Sequence, residues 1–305
     1  MADFSESFHK TTKLLLQILP FIGEETNFCL KGGTAINFFI HDMPRLSVDI
    51  DLAYLPISSR ELTIQDINQT LSKISKNIQK KMPELKVLTT KNNSDNDISK
   101  ISVQNRDIIV KIETNSTFRG CLYPTELREL CQTAQNTFEI FLETNVVGLP
   151  DLYAGKLCAT LDRQHPRDLF DVKILLETIG ITDDIRRAFV VYLCGDRRPM
   201  HELLSPNIKK QEKVFQEEFI GMLRQEISYA ELAGLALEIS NILRETLTTN
   251  EKQFMLSLAA GEPEWEHIDI PHISTLPALQ WKLLNIQKMD SKKRDASVKA
   301  LEDIL

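Results

Sequence analysis

Two carboxylates one residue apart, Asp49 and Asp51, sit in the run Leu46-Ser47-Val48-Asp49-Ile50-Asp51-Leu52. Apolar and polar residues alternate along it. The run therefore reads as a strand with Val48, Ile50 and Leu52 on a core face and Ser47, Asp49 and Asp51 on the other. Two acids on one face repel each other unless a cation stands between them. Carboxylate oxygens are hard ligands that suit Mg2+, so the pair is a candidate metal bracket. The competing reading is an edge strand whose polar face is simply wet. Upstream, Lys31-Gly32-Gly33-Thr34 closes the apolar segment Phe28-Cys29-Leu30 and opens an amphipathic one over residues 34–40. That order predicts strand, tight turn and helix. Adjacent glycines allow positive φ and let backbone N–H groups approach a ligand closely. A helix start favours anions, and Thr34 could cap it or bond a phosphate oxygen. Gly32, Gly33 and Thr34, with Lys31 beside them, are thus candidate contacts for a phosphorylated ligand.

A Gly-Gly turn, a helix and then a strand bearing Ser-x-Asp-x-Asp resembles the nucleotidyltransferase superfamily typified by DNA polymerase β. The resemblance implies a third acid on a neighbouring strand. Residues 106–115 offer Glu113, with Ile108, Val110 and Ile112 on one face and Lys111, Glu113 and Asn115 on the other. A solvated strand residue is the alternative for Glu113. Asp107 is the poorer choice, because turn acids are common where a strand begins.

A second constellation lies at 149–176. Pro150 and Asp151 suit the first turn of a helix that places Lys156 among small and apolar neighbours. A lysine there either snorkels to solvent or reaches a triphosphate as a point charge. The next helix starts at Pro166, and on it Arg167 and Asp171 are four apart and can pair. Leu169, Phe170, Val172, Leu175 and Leu176 form its apolar stripe.

Lys-Gly-Gly-Thr-Ala, Arg-Leu-Ser-Val-Asp-Ile-Asp-Leu, Lys-Ile-Glu, and Lys-Leu-x-Ala-x-x-x-Arg with Pro-Arg-Asp-Leu-Phe-Asp together resemble the AbiEii family over residues 10–180. These are the MenT-like nucleotidyltransferase toxins of bacterial toxin–antitoxin and abortive-infection systems. The resemblance implies that Ser47, Asp49, Lys156 and Asp171 are functional, with Asp51 and Glu113 completing the acidic set. It implies transfer of NMP from an NTP to an acceptor, foremost the 3′ end of tRNA, with a cognate antitoxin as partner. Modification of a protein or small molecule is the alternative. Asp49, Asp51 and Glu113 would hold Mg2+. Gly32, Gly33 and Ser47 would grip the phosphates, Lys156 would add charge, and Asp171 would orient Lys156 or Arg167 or bind base or sugar.

Composition agrees with an enzyme of the cytoplasm. The 305 residues carry a net charge of −7, 42% hydrophobic and 26% charged residues, which is ordinary for globular domains and argues against broad nucleic-acid binding. A local basic stripe could still meet RNA. Candidates are Lys73, Lys76, Lys80 and Lys81, then Arg186, Arg187, Arg197 and Arg198, and weakest Lys292-Lys293-Arg294; each is also readable as a solvated helix face. No apolar run approaches the roughly 20 residues of a membrane span. The start, Met1-Ala2-Asp3-Phe4-Ser5-Glu6, is unlike a signal peptide. Five scattered cysteines without a Cys-x-x-Cys indicate reduced thiols, and the six histidines show no metal-ligand spacing.

Around these motifs the pattern predicts helices at 6–19 and 63–81, and strands at 85–89, 98–103, 108–114 and 138–147. A polar turn is expected at Asn92-Asn93-Ser94-Asp95-Asn96-Asp97. Beyond Gly180 the pattern is helical, clearest at 212–223 and 227–246, with a Pro-containing loop at 261–277 and helices at 278–288 and 291–305. The expected fold is α/β (α+β): a small mixed-sheet nucleotidyltransferase core with flanking helices over 1–180, followed by a helical C-terminal domain over 181–305.

Overall fold

The computed structural model describes residues 4–91, 98–115 and 118–305. The turn expected at 92–97 lies outside them. The chain forms two compact units, one of residues 1–148 with 218–227, the other of 149–217 with 228–305. Residues 149–180, read from sequence with the first domain, pack in the second unit.

In the first unit seven strands among the described residues form one mixed sheet: β1 Phe28–Lys31, β2 Asp49–Tyr54, β3 Lys86–Lys91, β4 Ile98–Asn105, β5 Ile108–Thr114, β6 Glu126–Glu129 and β7 Glu143–Val146. Their order is β3-β4-β5-β2-β1-β7-β6. β2 therefore lies inside the sheet, antiparallel to β1 and parallel to β5, which removes the edge-strand reading of the acidic run. Period-two alternation explains the layering. Ile50, Leu52, Ile101, Val103, Val110 and Ile112 are buried, while Lys111 and Glu113 on β5 are exposed. The Glu6–Ile18 helix packs against β5, and the Arg60–Lys81 helix against β3 and β4. Ser5 and Ser59 cap these helices by accepting from Phe8 N and Leu62 N.

Strand boundaries shift by one or two residues at β3 and β4, β6 has no counterpart in the sequence reading, and two differences are larger. The expected strand at 138–147 shortens to Glu143–Val146, because the Gln132–Phe138 helix ends in Glu139 at φ 56. β2 begins only at Asp49, so Ser47 precedes the strand and is buried, off the open face.

The second unit is helical. Its helices include Leu149–Arg163, Pro166–Thr178, Asp183–Gly195, Leu235–Thr246, Thr249–Ala260, Pro277–Gln287 and Ser291–Glu302. Leu157, Val172, Phe189, Leu193, Phe254 and Leu279 are fully buried within it. The continuous helices expected at 212–223 and 227–246 are broken. The first stops at Glu218, and the chain returns to the first unit, where Gly221 packs on Ser5 and Phe8. The second is interrupted by Gly234 at φ +85.

Candidate active site

Two constellations of charge stand out, one in each unit. In the sheet unit, register places the acids. Asp51 is flanked by Lys31 across the antiparallel β1 pairing and by Glu113 across the parallel β5 pairing, and Glu113 is in turn opposite Lys100 on β4. Residues in register share a face. The row therefore reads Lys31, Asp51, Glu113, Lys100: two acids side by side between two lysines. Glu113 leans outward, with its carboxylate 2.6 Å from Lys100 Nζ. Asp49 lies two residues upstream on the same face, opposite Lys111. Asp49 and Asp51 are half-buried.

The glycine turn lies directly against this row. Gly32 has φ +72, and a Cβ there would stand 2.3 Å from Asp51 Oδ2, so the position demands glycine for conformation and for space. Gly33 has no such dihedral. A Cβ on it would stand 2.7 Å from Arg45 Nη2 and 3.4 Å from Ser47 Oγ, so its constraint is space alone. The two glycines expected to share one role thus have different ones. The helix opening at Gly32 has Lys31 as its N-cap residue and passes into a π-helical turn over Ile36–Ile40.

Thr34 caps nothing and is fully buried. Its Oγ1 lies 2.6 Å from the Asp49 carbonyl and 2.9 Å from Ser47 Oγ. A carbonyl only accepts and a hydroxyl has one proton, so while Thr34 donates to Asp49, Ser47 donates to Thr34. Thr12 Oγ1 also donates to the Ser47 carbonyl at 3.0 Å. Thr34 and Ser47 are therefore joists between the turn and the start of β2 in this arrangement.

In the helical unit, burial places the charges. Lys156 Nζ lies 2.9 Å from Asp168 Oδ1 and 3.0 Å from Asp171 Oδ2, and the three side chains are 6%, 2% and 0% exposed. Snorkelling is excluded: this lysine is held inside. Asp168 also accepts from Arg163 Nε at 2.5 Å, while Arg163 itself remains largely in solvent. Burial alone would push the Asp168 carboxyl up, but the charges of Lys156 and Arg163 together hold it well below the usual carboxylate range. Tyr153 on the same helix is fully buried, and desolvation together with the Asp171 charge pushes its hydroxyl well above the usual range. Asp151, also buried, accepts from Tyr192 Oη at 3.0 Å. Arg167 is half-buried on the helix that carries Asp168 and Asp171.

Asp168 and Arg45 are absent from the sites named on sequence grounds, although both stand inside quoted motifs. For Asp168 a signal existed: acids at 168 and 171 share one helix face, and an apolar helix carrying two such acids needs a buried cation. For Arg45 the chain offers only an arginine between Pro44 and Leu46.

Several other expectations resolve here. Arg186 pairs with Glu251 and Asp183, Arg187 with Asp184, and Arg198 with Asp162 and Glu202, so these arginines of the second basic stripe serve internal ion pairs. Lys73 pairs with Glu25 but, with Lys76, also lines a groove of about 520 Å3 on the Arg60–Lys81 helix. No helix among the described residues is long and apolar enough to cross a membrane. Among those residues, no set of three His, Cys, Asp or Glu side chains is disposed to hold a metal ion, and Glu113 pairs with Lys100. Asp49 and Asp51 remain a two-carboxylate set on one face.

Residues 13–283 match the sequence profile of the family described as nucleotidyl transferase AbiEii toxin, type IV toxin–antitoxin system. Among solved structures the chain is similar to the nucleotidyltransferase toxin MenT4 from Mycobacterium tuberculosis, at 16% identity and TM-score 0.61, over 98% of this chain and 94% of that one. At this identity the likeness establishes the mixed α/β fold. A terminal uridylyl transferase 4 from Trypanosoma brucei with bound GTP also aligns, at 9% identity and TM-score 0.30, over 99% of this chain and 94% of that one. No curated protein matches.

Proposed function

Because the chain belongs to the AbiEii family of nucleotidyltransferase toxins of type IV toxin–antitoxin systems, we propose that it transfers NMP from an NTP to the 3′ end of tRNA. The family implies the NTP substrate and a cognate antitoxin. The acceptor and the residue roles below are our reading. The observation that carries the site assignment is the register of Asp51 between Lys31 and Glu113, with the Gly32 turn closed against its carboxylate.

In the proposed reaction the terminal hydroxyl oxygen of the acceptor attacks the α-phosphorus. That P–O bond forms as the bond to pyrophosphate breaks, and the hydroxyl proton passes to a base, the role given to Glu113. Positioning and charge stabilisation supply most of the rate. Asp49 and Asp51 would hold a Mg2+, which would neutralise triphosphate charge and acidify the attacking hydroxyl. Glu113 must leave Lys100 to act, which leaves that lysine facing the row. Lys31, Gly32 and Gly33 would contact the phosphates, with Thr34 and Ser47 fixing the turn. Lys156 would serve the triphosphate, and Asp171, together with Asp168, explains itself as the group that fixes Lys156. Arg167 is assigned to the nucleotide by its place in the motif. We place the enzyme in the cytoplasm, where the NTP and tRNA substrates proposed for it are found.

The test is incubation of the full chain with each labelled NTP, Mg2+, total tRNA and total protein. The expected product is labelled tRNA, lost when the tRNA 3′ ends are first oxidised with periodate. Label on protein instead, or on RNA irrespective of its 3′ end, would sink the acceptor assignment. In a bacterium, induction should arrest growth, and the arrest should vanish in Asp49→Asn with Lys156→Ala; arrest that persists overturns an enzymatic toxin.

A further inference from the structure

We propose that Arg45 is a positioning residue of the nucleotide site: it fixes the Gly32–Gly33 turn and sets a permanent positive charge behind it. The proposal rests on the reading of that turn as a phosphate cradle. Arg45 is 2% exposed and ranks among the largest fully buried side chains. Burying a guanidinium is costly unless its donors are used and its charge is wanted. Its Nη1 donates to the Leu46 carbonyl at 2.7 Å. Its Nη2 lies 2.7 Å from the point a Gly33 Cβ would take. Since Gly33 does not adopt positive φ, the guanidinium is what makes glycine necessary there. The turn is also held by Asn37, whose Nδ2 donates to the Gly33 carbonyl at 2.9 Å.

The backbone beneath Arg45 is also anchored. Leu46 N donates to the Met222 carbonyl at 2.8 Å, Arg224 N donates to the Pro44 carbonyl at 3.1 Å, and Arg45 itself bridges Leu223. The strap of residues 218–227 thus fixes the segment that carries the guanidinium to the turn. A planar fork fills the space under Gly33 and reaches Leu46 together, whereas a lysine offers one point charge. A charge placed so should matter more for a triphosphate than for a monophosphate, since attraction scales with ligand charge.

The experiment is calorimetric titration of the full chain, in Mg2+, with the four NTPs and with the monophosphate of whichever binds best. Arg45→Met should bind the NTP roughly tenfold or more weakly while monophosphate affinity holds within about twofold, and Arg45→Lys, which keeps the charge but not the fork, should fall between Arg45→Met and wild type. Unchanged NTP affinity in Arg45→Met overturns the proposal. So does equal weakening toward both ligands, which is the mark of a merely structural residue, and so does full affinity in Arg45→Lys. A wild-type chain that binds no NTP overturns the cradle reading itself, and with it this proposal, before any variant is made. Should circular dichroism show the Arg45 variants unfolded, Gly33→Ala takes their place. Its methyl presses the guanidinium aside without removing charge, and the same selective loss of NTP affinity is expected; equal affinity for NTP in Gly33→Ala counts against the proposal.

Discussion

The acids of the sheet unit and the charges of the helical unit are held in opposite ways. Asp49, Asp51 and Glu113 are placed by backbone register on a sheet face, half-buried or exposed, with like charges side by side. Lys156, Asp168 and Asp171 are placed by burial, and each charge is satisfied by another. The first set holds its position even if a charge is removed, because β2 is fixed by β1 and β5 whatever its side chains carry. The second set is its own support. Removing a charge from the sheet row should therefore cost activity and spare the fold, while removing one from the helical cluster should cost the fold first.

The largest expected effect is on activity. Asp49→Asn keeps size and register but removes a hard anionic ligand whose metal charge stabilisation is worth several kcal/mol, so transfer should fall by about a thousandfold or more. The thermal midpoint should stay within a few degrees of wild type. A large drop in midpoint would erase the contrast between the two regions.

Lys156→Met tests the other side. It removes the lysine that two buried carboxylates share, and breaking a buried pair typically costs about 3–5 kcal/mol. Urea unfolding should show that loss. Replacing the whole cluster with Lys156→Met, Asp168→Leu and Asp171→Leu should recover most of it, since apolar packing often equals a buried ion set. Equal stability in the single and triple variants would mean that the charges do not depend on one another.

Acid should distinguish the regions as well. The Asp168 carboxyl is held below its unfolded value, near 3.9, by Lys156 and Arg163 against the cost of burial. A depressed pKa contributes stability that is fully present above about pH 4 and is lost as pH falls toward the folded value. Acid unfolding of the wild type should steepen below pH 4, and Asp168→Asn should be less stable at neutral pH but lose less on acidification. Parallel acid curves for the two proteins would show that this carboxyl is not the linked group.

Much of this contrast was legible in the chain. Alternation in 108–114 gave β5 at the observed bounds, because a strand with one wet face writes its period into the sequence. The Gly-Gly and Asp-x-Asp motifs located the turn and the row. Ser47 was misplaced because alternation was extended two residues past the hydrogen-bonded ladder, and the inward pull of Thr34 and Thr12 leaves no period-two trace. The breaks at Glu218 and Gly234 were missed since helical periodicity persists through them, while the return of 218–227 to the sheet unit depends on partners over 170 residues away. Lys156 illustrates the deepest limit. Its burial depends on two acids on another helix, and no local pattern around a lysine reports that.

The smallest expected effect is the most specific. Asp51 and Glu113 stand directly opposite each other on parallel strands, and opposed like charges cost roughly 0.2–1 kcal/mol. Lys100 draws Glu113 outward at 2.6 Å and relieves part of that repulsion. Without added metal, Asp51→Asn should therefore raise stability by about half a kcal/mol, even as it impairs transfer. Repeating the substitution in a Glu113→Gln background isolates the cause, because there Asp51 has no like charge opposite and the gain should disappear. Saturating Mg2+ should reverse the sign in the wild-type background, since the ion would stabilise only the folded chain that still carries Asp51. A gain that persists in the Glu113→Gln background would place its origin elsewhere, in the contact of Asp51 with Gly32.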